Sequence, residues 1–140
     1  MKISDLAMDQ VNYCSSNTSI PEVAKILYEN YIRAVYVKDD DDIIGIISDQ
    51  AILRNLSEGK DLSKLLAKDL MRRDFPKLDK NTSIEDAFKI IDNNPFRTYA
   101  ITSEGKIIGA IPKSRIIYGF SEEEKYYIYN LKERIQKIKL

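Results

Sequence analysis

The sequence predicts an α/β (α+β) fold of two pseudo-symmetric repeats. Each is β-α-β-β-α with a small three-stranded sheet, the two packed sheet to sheet and followed by a C-terminal helix. Three observations predict it. The stretch Asn17-Thr18-Ser19-Ile20 returns as Asn81-Thr82-Ser83-Ile84, an offset of 64 residues (81 − 17). The same offset joins Asp5 to Asp69, Arg33 to Arg97, Gly45 to Gly109 and Ile52 to Ile116 without a gap, the mark of one duplicated supersecondary unit. Finally, each copy has apolar helix faces that one three-stranded sheet cannot cover, and two copies packed together solve that problem. The repeats are taken as residues 1–62 and 63–120, with an amphipathic helix over 121–140.

The elements follow in order. Ile3 to Met8 is a lead-in turn or helix, and Val11 to Cys14 a short strand with Cys14 as a small buried hydrophobe. Ser19 and Glu22 form a capping box with Pro21 in the first turn, and Val23, Ile26 and Leu27 carry the helix stripe. Ala34 to Lys38 is β-branched and aromatic, hence a strand. Asp39 to Asp42 is a solvated hairpin tip that lacks the alternating spacing of a calcium loop. Ile43 to Ile47 is a buried strand, and Ser48 caps a helix carrying Ala51, Ile52, Leu53 and Leu56 that stops at Ser57-Glu58-Gly59.

The second copy repeats this order. Asp69 to Asp74 leads in, Phe75 to Leu78 is the short strand, and the helix from Ser83 shows Ile84, Ala87, Phe88, Ile90 and Ile91 on one face. Thr98 to Thr102 and Lys106 to Ile111 are strands joined by a Ser-Glu-Gly turn. Ile116 and Ile117 lie on a final short helix entered through Pro112. Ser121-Glu-Glu-Glu124 then reads as a second capping box. Its acids suit the positive end of a helix, and Lys132, Lys137 and Lys139 suit the far end. Ile128, Leu131, Ile135 and Ile138 make a narrow coiled-coil-type stripe, about two heptads and too short to be stable alone.

Composition removes several functions. The 22 basic residues balance the 22 acidic ones, so no global field draws the chain to nucleic acid or anionic lipid, although Lys68, Arg72, Arg73 and Lys77 form a small basic group. With no His and one Cys, zinc sites, His general bases and Cys–His nucleophiles are excluded as internal constellations. No nucleophile–base pair or metal-ligand cluster is visible, so the chain does not read as an enzyme and no catalytic cofactor is expected. Short apolar runs, the absence of a secretory h-region and the lone Cys14 predict a soluble cytoplasmic protein without a membrane span.

Taken together, the motifs resemble a tandem pair of cystathionine-β-synthase-type (CBS) domains, a Bateman module. The residues that carry the resemblance are Asp69-Leu70-Met71, Thr18-Ser19-Ile20 with Thr82-Ser83-Ile84, Arg33 and Arg97, Gly45-Ile-Ile-Ser48 and Gly109-Ala-Ile111. Arg to Gly is twelve positions in both copies (45 − 33 and 109 − 97), and the match covers residues 3 to about 119. The resemblance implies a regulatory module sensing AMP, ADP, ATP, S-adenosylmethionine or NAD in clefts between the copies. It implies adenine against the short strands, phosphate on the Thr/Ser after the Gly and on the Arg before strand two, and ribose on an Asp three residues past the Thr/Ser. The candidate ligand-binding residues are thus Arg33, Ser48, Arg97, Lys113, Arg115, Tyr13 and Lys77.

The sequence departs from that pattern at the ribose position, which is Ala51 in the first copy and Arg115 in the second. The second copy also has Pro112 at the Thr/Ser position, while Lys113 and Arg115 favour an anionic ligand there. A lost charged hydrogen bond weakens a site by about 1.5–3 kcal/mol, roughly ten- to a hundredfold in affinity. Two readings stand for Arg33 and Arg97, phosphate contact or salt bridges at strand entrances, and two for Ser48, phosphate contact or N-capping. Tyr13 and Tyr99 are either base-stacking or core. The family implies a homodimer through helices, for which Ile52, Leu53, Leu56, Ile116 and Ile117 are available, and an unidentified regulated protein. The alternative is a degenerate, ligand-free pair acting as an oligomerisation or protein-interaction scaffold.

Overall fold

The computed structural model describes residues 1–139. The side chains of Tyr126 and Lys139 and all of Leu140 lie outside the described residues, and with them the expectation placed on Lys139. Two three-stranded sheets form, in the orders β1-β2-β3 and β4-β5-β6. The first holds β1 (Tyr13–Cys14), β2 (Ala34–Asp39) and β3 (Asp42–Ser48) with helices α1 (Ile20–Glu29), α2 (Asp49–Ser57) and the short α3 (Ala67–Leu70). The second holds β4 (Lys77–Asp79), β5 (Thr98–Ser103) and β6 (Lys106–Pro112) with α4 (Ile84–Ile91) and α5 (Lys113–Lys139). In each sheet the first strand is parallel to the second and the second antiparallel to the third. A parallel pair cannot be joined by a tight turn, and α1 and α4 supply the crossovers.

Local chemistry sets the helix starts. Ser19 Oγ accepts from the Glu22 amide at 3.3 Å and Ser83 Oγ from the Asp86 amide at 3.1 Å. Behind these caps Ile20, Val23 and Leu27 are buried on α1, and Ile84, Ala87 and Ile91 on α4. Ile90, expected on the buried face of α4, is exposed: its side chain lies one position off the 3.6-residue repeat that joins Ile84, Ala87 and Ile91. The β5–β6 turn places Glu104 and Gly105 at φ +52 and +79, the left-handed pair that matches strand twist.

The two cores are built from corresponding positions. Cys14, Ile20, Val23, Leu27, Val35, Val37, Ile47 and Ala67 bury together in one. The same positions 64 residues away are Leu78, Ile84, Ala87, Ile91, Tyr99, Ile101, Ile111 and Ile3, and all bury together in the other. Volume is redistributed within the set, with Tyr99 for Val35 and Ala87 for Val23. That keeps a filled interior without a repeated sequence.

Space does not follow the sequence repeats. The compact units are Gln10–Phe75, and Met1–Asp9 together with Pro76–Leu140. Each lead-in therefore packs with the strands and helices of the other repeat, whereas the sequence division was 1–62 and 63–120. The Ile3 amide donates to Thr82 O at 2.9 Å, and Asp9 and Ala110 exchange hydrogen bonds at 2.8 and 3.1 Å. Correspondingly, the Ala67 amide donates to Thr18 O at 2.7 Å, and Arg72 and Ile46 exchange bonds at 2.8 and 2.9 Å. The repeat register slips here: Gly109 faces Met8 while Gly45 faces Met71, an offset of 63 (71 − 8) rather than 64. Ala7 is the extra residue, and the register is regained by the short strands.

These contacts explain the lead-in motif. Asp5 and Asp69 each accept from their own lead-in amide, Lys2 N and Leu66 N, both at 2.8 Å, and so close the turn. The methionine then lies on the glycine. A β-carbon at Gly45 would sit 3.0 Å from Met71 Sδ and 3.1 Å from Arg72 O, and at Gly109 3.1 Å from Met8 Sδ. Glycine is required there for close approach rather than for its φ.

The last helix corrects the expected ending. α5 is one helix from Lys113 to Lys139, not a short helix followed by a second one capped at Ser121. It also runs through the boundary drawn at 120/121. The 64-residue offset supplies the reason. Ser121 corresponds to Ser57, which lies in the last turn of α2, not before a helix start. α2 stops because Gly59 follows in the left-handed region at φ +80. Glu123 stands at the corresponding position of the second copy, and the helix continues. Two strand limits also differ. The first short strand is Tyr13–Cys14 rather than Val11 to Cys14. The second is Lys77–Asp79, while Phe75 precedes it and packs edge-on against Tyr36 within the unit Gln10–Phe75, ring centroids 5.4 Å apart.

Candidate functional site

The residues singled out by the sequence gather at the same end of each sheet, where the second strand enters, the third leaves and the following helix begins. In the unit Gln10–Phe75, Ala34 pairs with Ser48 across β2 and β3, and the Asp49 amide donates to Arg33 O at 2.9 Å. Arg33 and Ser48 are thereby fixed as neighbours in the fold. β1 runs parallel beside β2, with Tyr13 opposite Tyr36 and the Tyr36 amide donating to Asn12 O at 2.9 Å. In the other unit Thr98 pairs with Pro112, the Lys113 amide donates to Arg97 O at 2.8 Å, and Lys77 lies opposite Ala100.

The side chains differ between the two ends. Ser48 Oγ accepts from the Ala51 amide at 3.1 Å and is half-buried, so the N-capping role is present. An N-cap hydroxyl keeps its proton, which remains available to an anion at the helix start. Asp49 shares that first turn and opposes an anion. Arg33 is exposed, and among the described residues its guanidinium has no hydrogen-bond or ion-pair partner; the same holds for Arg97. Neither makes the strand-entrance salt bridge that was one of their two readings.

At the second end both helix-start cations are committed. Lys113 Nζ donates to Asn94 O at 2.7 Å. Arg115 Nη1 donates to Ala7 O at 2.8 Å and pairs with Asp9 Oδ1 at 3.0 Å. Arg115 therefore holds down the lead-in that places Met8 on Gly109. Sequence reading missed Asp9, because its partner is 106 positions away. Pro112 has no hydroxyl, and the remaining sequence candidates at this end, Arg97 and Lys77 on β4, are both exposed.

The aromatic candidates separate. Tyr99 is fully buried, and its hydroxyl has no hydrogen-bond partner among the described residues; burial raises its pKa. It is core, not a stacking platform. Tyr13 is 39 % exposed, and Lys38 Nζ lies 5.1 Å from its ring centroid, a cation–π contact. Cys14 is buried, and its thiol is pushed up to about 11, first by burial and then by Asp39, so at neutral pH it is an unreactive hydrophobe. Asp39, at the hairpin tip, accepts from the Ser16 amide at 3.0 Å, and hydrogen bonding from Ser16 holds its carboxyl below the usual range.

The helix faces also sort. Leu53 and Leu56 on α2 are 54 % and 57 % exposed, and Ile117 is exposed on α5. Ile116, expected to be available for dimerisation, is fully buried. At the position of Leu56 the second copy has Phe120, which stacks on Phe88 with centroids 4.2 Å apart and packs on the core containing Ile116. Next to it, Gly119 admits Leu6, whose Cδ2 would lie 2.8 Å from a β-carbon there. No helix among the described residues is long and apolar enough to cross a membrane.

Comparison with known proteins gives three findings. A family model described as the CBS domain matches residues 3–58 and again 67–122. An uncharacterized protein of Methanocaldococcus jannaschii is 32 % identical over 118 residues, covering 84 % of this chain; the chain spans only 38 % of that relative's length. Two solved structures share the fold. The CBS domain pair of protein MJ0100, in complex with 5′-methylthioadenosine and S-adenosyl-L-methionine, matches with a TM-score of 0.73 at 19 % identity, over 88 % of this chain and 98 % of its own. CBSX2, the CBS-pair protein of Arabidopsis thaliana, in complex with AMP matches with a TM-score of 0.69 at 20 % identity, over 88 % and 98 %.

Proposed function

Because the chain belongs to the CBS-domain family, with two copies in tandem, we propose that it is a regulatory, non-catalytic module that binds an adenosine-containing ligand. AMP, ADP, ATP and S-adenosylmethionine are the candidates. The observation that carries this reading is the adjacency of Arg33 and Ser48. Strand register and the Asp49–Arg33 backbone bond bring together at one sheet end a guanidinium without a partner among the described residues and a helix N-terminus whose capping hydroxyl can still donate. Tyr13 on the adjacent short strand supplies a partly exposed ring. The related pairs bound to AMP and to S-adenosyl-L-methionine support the ligand class. Arg97 and Lys77 form a weaker counterpart, and Lys113 and Arg115 are left out because protein acceptors hold them. The module acts in the cytoplasm as a homodimer, for which Leu53 and Leu56 offer exposed apolar surface.

A second reading is favoured by one observation: neither ribose position carries an acid, since Ala51 has no side-chain acceptor and Arg115 is paired with Asp9. On that reading the module is a ligand-free scaffold. Calorimetric titration with AMP, ADP, ATP, S-adenosylmethionine and NAD, backed by thermal shift, separates the two. A ligand at a hundred times its dissociation constant stabilises the fold by about 2.7 kcal/mol. Replacing Arg33 with Ala is expected to weaken binding about ten- to a hundredfold, the worth of a charged hydrogen bond. Silence from all five ligands at about millimolar concentration, an affinity near the detection floor, leaves the scaffold.

A further inference from the structure

We propose that the distal part of α5, residues 128–138, is a docking face for an acidic, apolar-striped helix of a partner protein. The proximal part of α5 is anchored: Ile116 is buried, Phe120 stacks on Phe88, and Glu123 Oε1 accepts from the Met1 ammonium at 2.9 Å. Beyond it the helix stands clear, and every residue from 131 to 138 is exposed. An isolated helix of three turns is marginal in water, and its stability comes from burying an apolar face. The face is there. Ile128, Leu131, Ile135 and Ile138 fall within an arc of about 80° at 100° per residue, the narrow seam of a coiled coil rather than the broader face that packs on a globular core.

Charge selects the occupant. Lys132 and Arg134 stand about 40° outside the two edges of the stripe, the flanking positions that set partner choice in paired helices. Among the described residues neither has an ion-pair partner. A second copy of this helix brings base against base in both orientations. An antiparallel register that matched Glu122 with Lys137 would set Ile135 and Ile138 against Glu124 and Ser121, sacrificing half the stripe. A lipid surface would also accept the bases, but an interfacial helix needs a wider apolar face than four residues in one narrow arc. An opposing helix with leucines in its seam and glutamates beside them satisfies both features.

The test uses the full chain without nucleotide, so its outcome is independent of the ligand reading. A labelled three-heptad synthetic peptide with Leu in the seam and Glu on both flanks is titrated by fluorescence anisotropy against a twin carrying Lys on the flanks. The acidic peptide is expected to bind at least about tenfold tighter, and Ile135→Asp to cost about tenfold. Charge reversal by Lys132→Glu with Arg134→Glu should transfer the preference to the basic twin. These positions are exposed, so circular dichroism should show each variant folded. Equal response to both peptides, or none up to about 1 mM, overturns the proposal. So does phosphatidylglycerol-vesicle binding that Ile135→Asp abolishes, or self-association that the same substitution disperses.

Discussion

At the start of α2, Ser48 caps the helix, Asp49 fills its first turn, and the neighbouring Arg33 guanidinium is exposed and, among the described residues, unpaired. Sixty-four residues on, at the start of α5, proline has replaced the cap. Lys113 and Arg115 have replaced the acid and Ala51, and both cations are spent on Asn94 and on the lead-in through Ala7 and Asp9. The two ends follow one pattern, yet one leaves its arginine exposed and the other uses its cations to hold the chain. A cation at a helix start opposes the helix dipole and is tolerated when an acid neutralises it, as Asp9 does for Arg115. A duplicated fold thus allows corresponding positions to differ, exposed in one copy and used as internal fastening in the other.

The largest test of this asymmetry is in the helices behind the two entrances. Ile52 is half-buried, while its counterpart Ile116 is fully buried in the core that Phe120, one turn further along α5, packs against. Truncating Ile116 to Ala is expected to cost about 2–5 kcal/mol in urea unfolding, and truncating Ile52 less than half of that. Equal losses would mean that the extra turns of α5 do not deepen the second core.

An intermediate effect sharpens the comparison at the sites themselves. Ala51→Asp returns an acceptor to the first entrance, in a helix first turn that favours an acid. Affinity for a ribose-bearing adenosine ligand should rise roughly tenfold, with little gain for the 2′-deoxy analogue. At the other entrance Arg115→Ala should leave ligand affinity unchanged and lower stability by no more than about 1 kcal/mol, because the ion pair with Asp9 is largely exposed. A loss of ligand binding on Arg115→Ala would reverse the assignment of roles.

The smallest effect is in the hairpin tips. Ser16 lowers the Asp39 carboxyl below its ordinary value of 3.8, so the contribution is complete above that value and is lost as pH falls through the lowered one. The counterpart Ser103 does not titrate. Acid unfolding of Asp39→Asn followed by circular dichroism should show a shallower fall of stability below about pH 4 than the parent chain; an identical acid limb would remove Asp39 from the balance.

Much of this was legible in advance. The repeat and the local patterns located every strand, two of them with shifted limits, and the serine caps of α1, α2 and α4, because caps, turns and hydrophobic periods are written in residues close together in the chain. The same offset, applied to Ser121 and Glu123, would have shown that α5 continues where Gly59 ends α2. The site was half legible. Arg33 and Ser48 are brought together as their positions in the repeat required, while the engagement of Arg115 by Asp9 was invisible.

Residues close together in the chain define the repeated unit, most of its secondary structure and the candidate residues for a ligand. Which lead-in packs with which repeat, that Ile116 is enclosed while Leu56 is not, and that Lys113 and Arg115 are held by protein acceptors emerge from the three-dimensional packing alone. The physical reason is the same in each case. Met8 and Met71 are both able to cover a glycine, and Asp9 is one acid among 22. Local pattern defines what each group can do; the choice among equivalent distant partners is made by packing the whole chain at once.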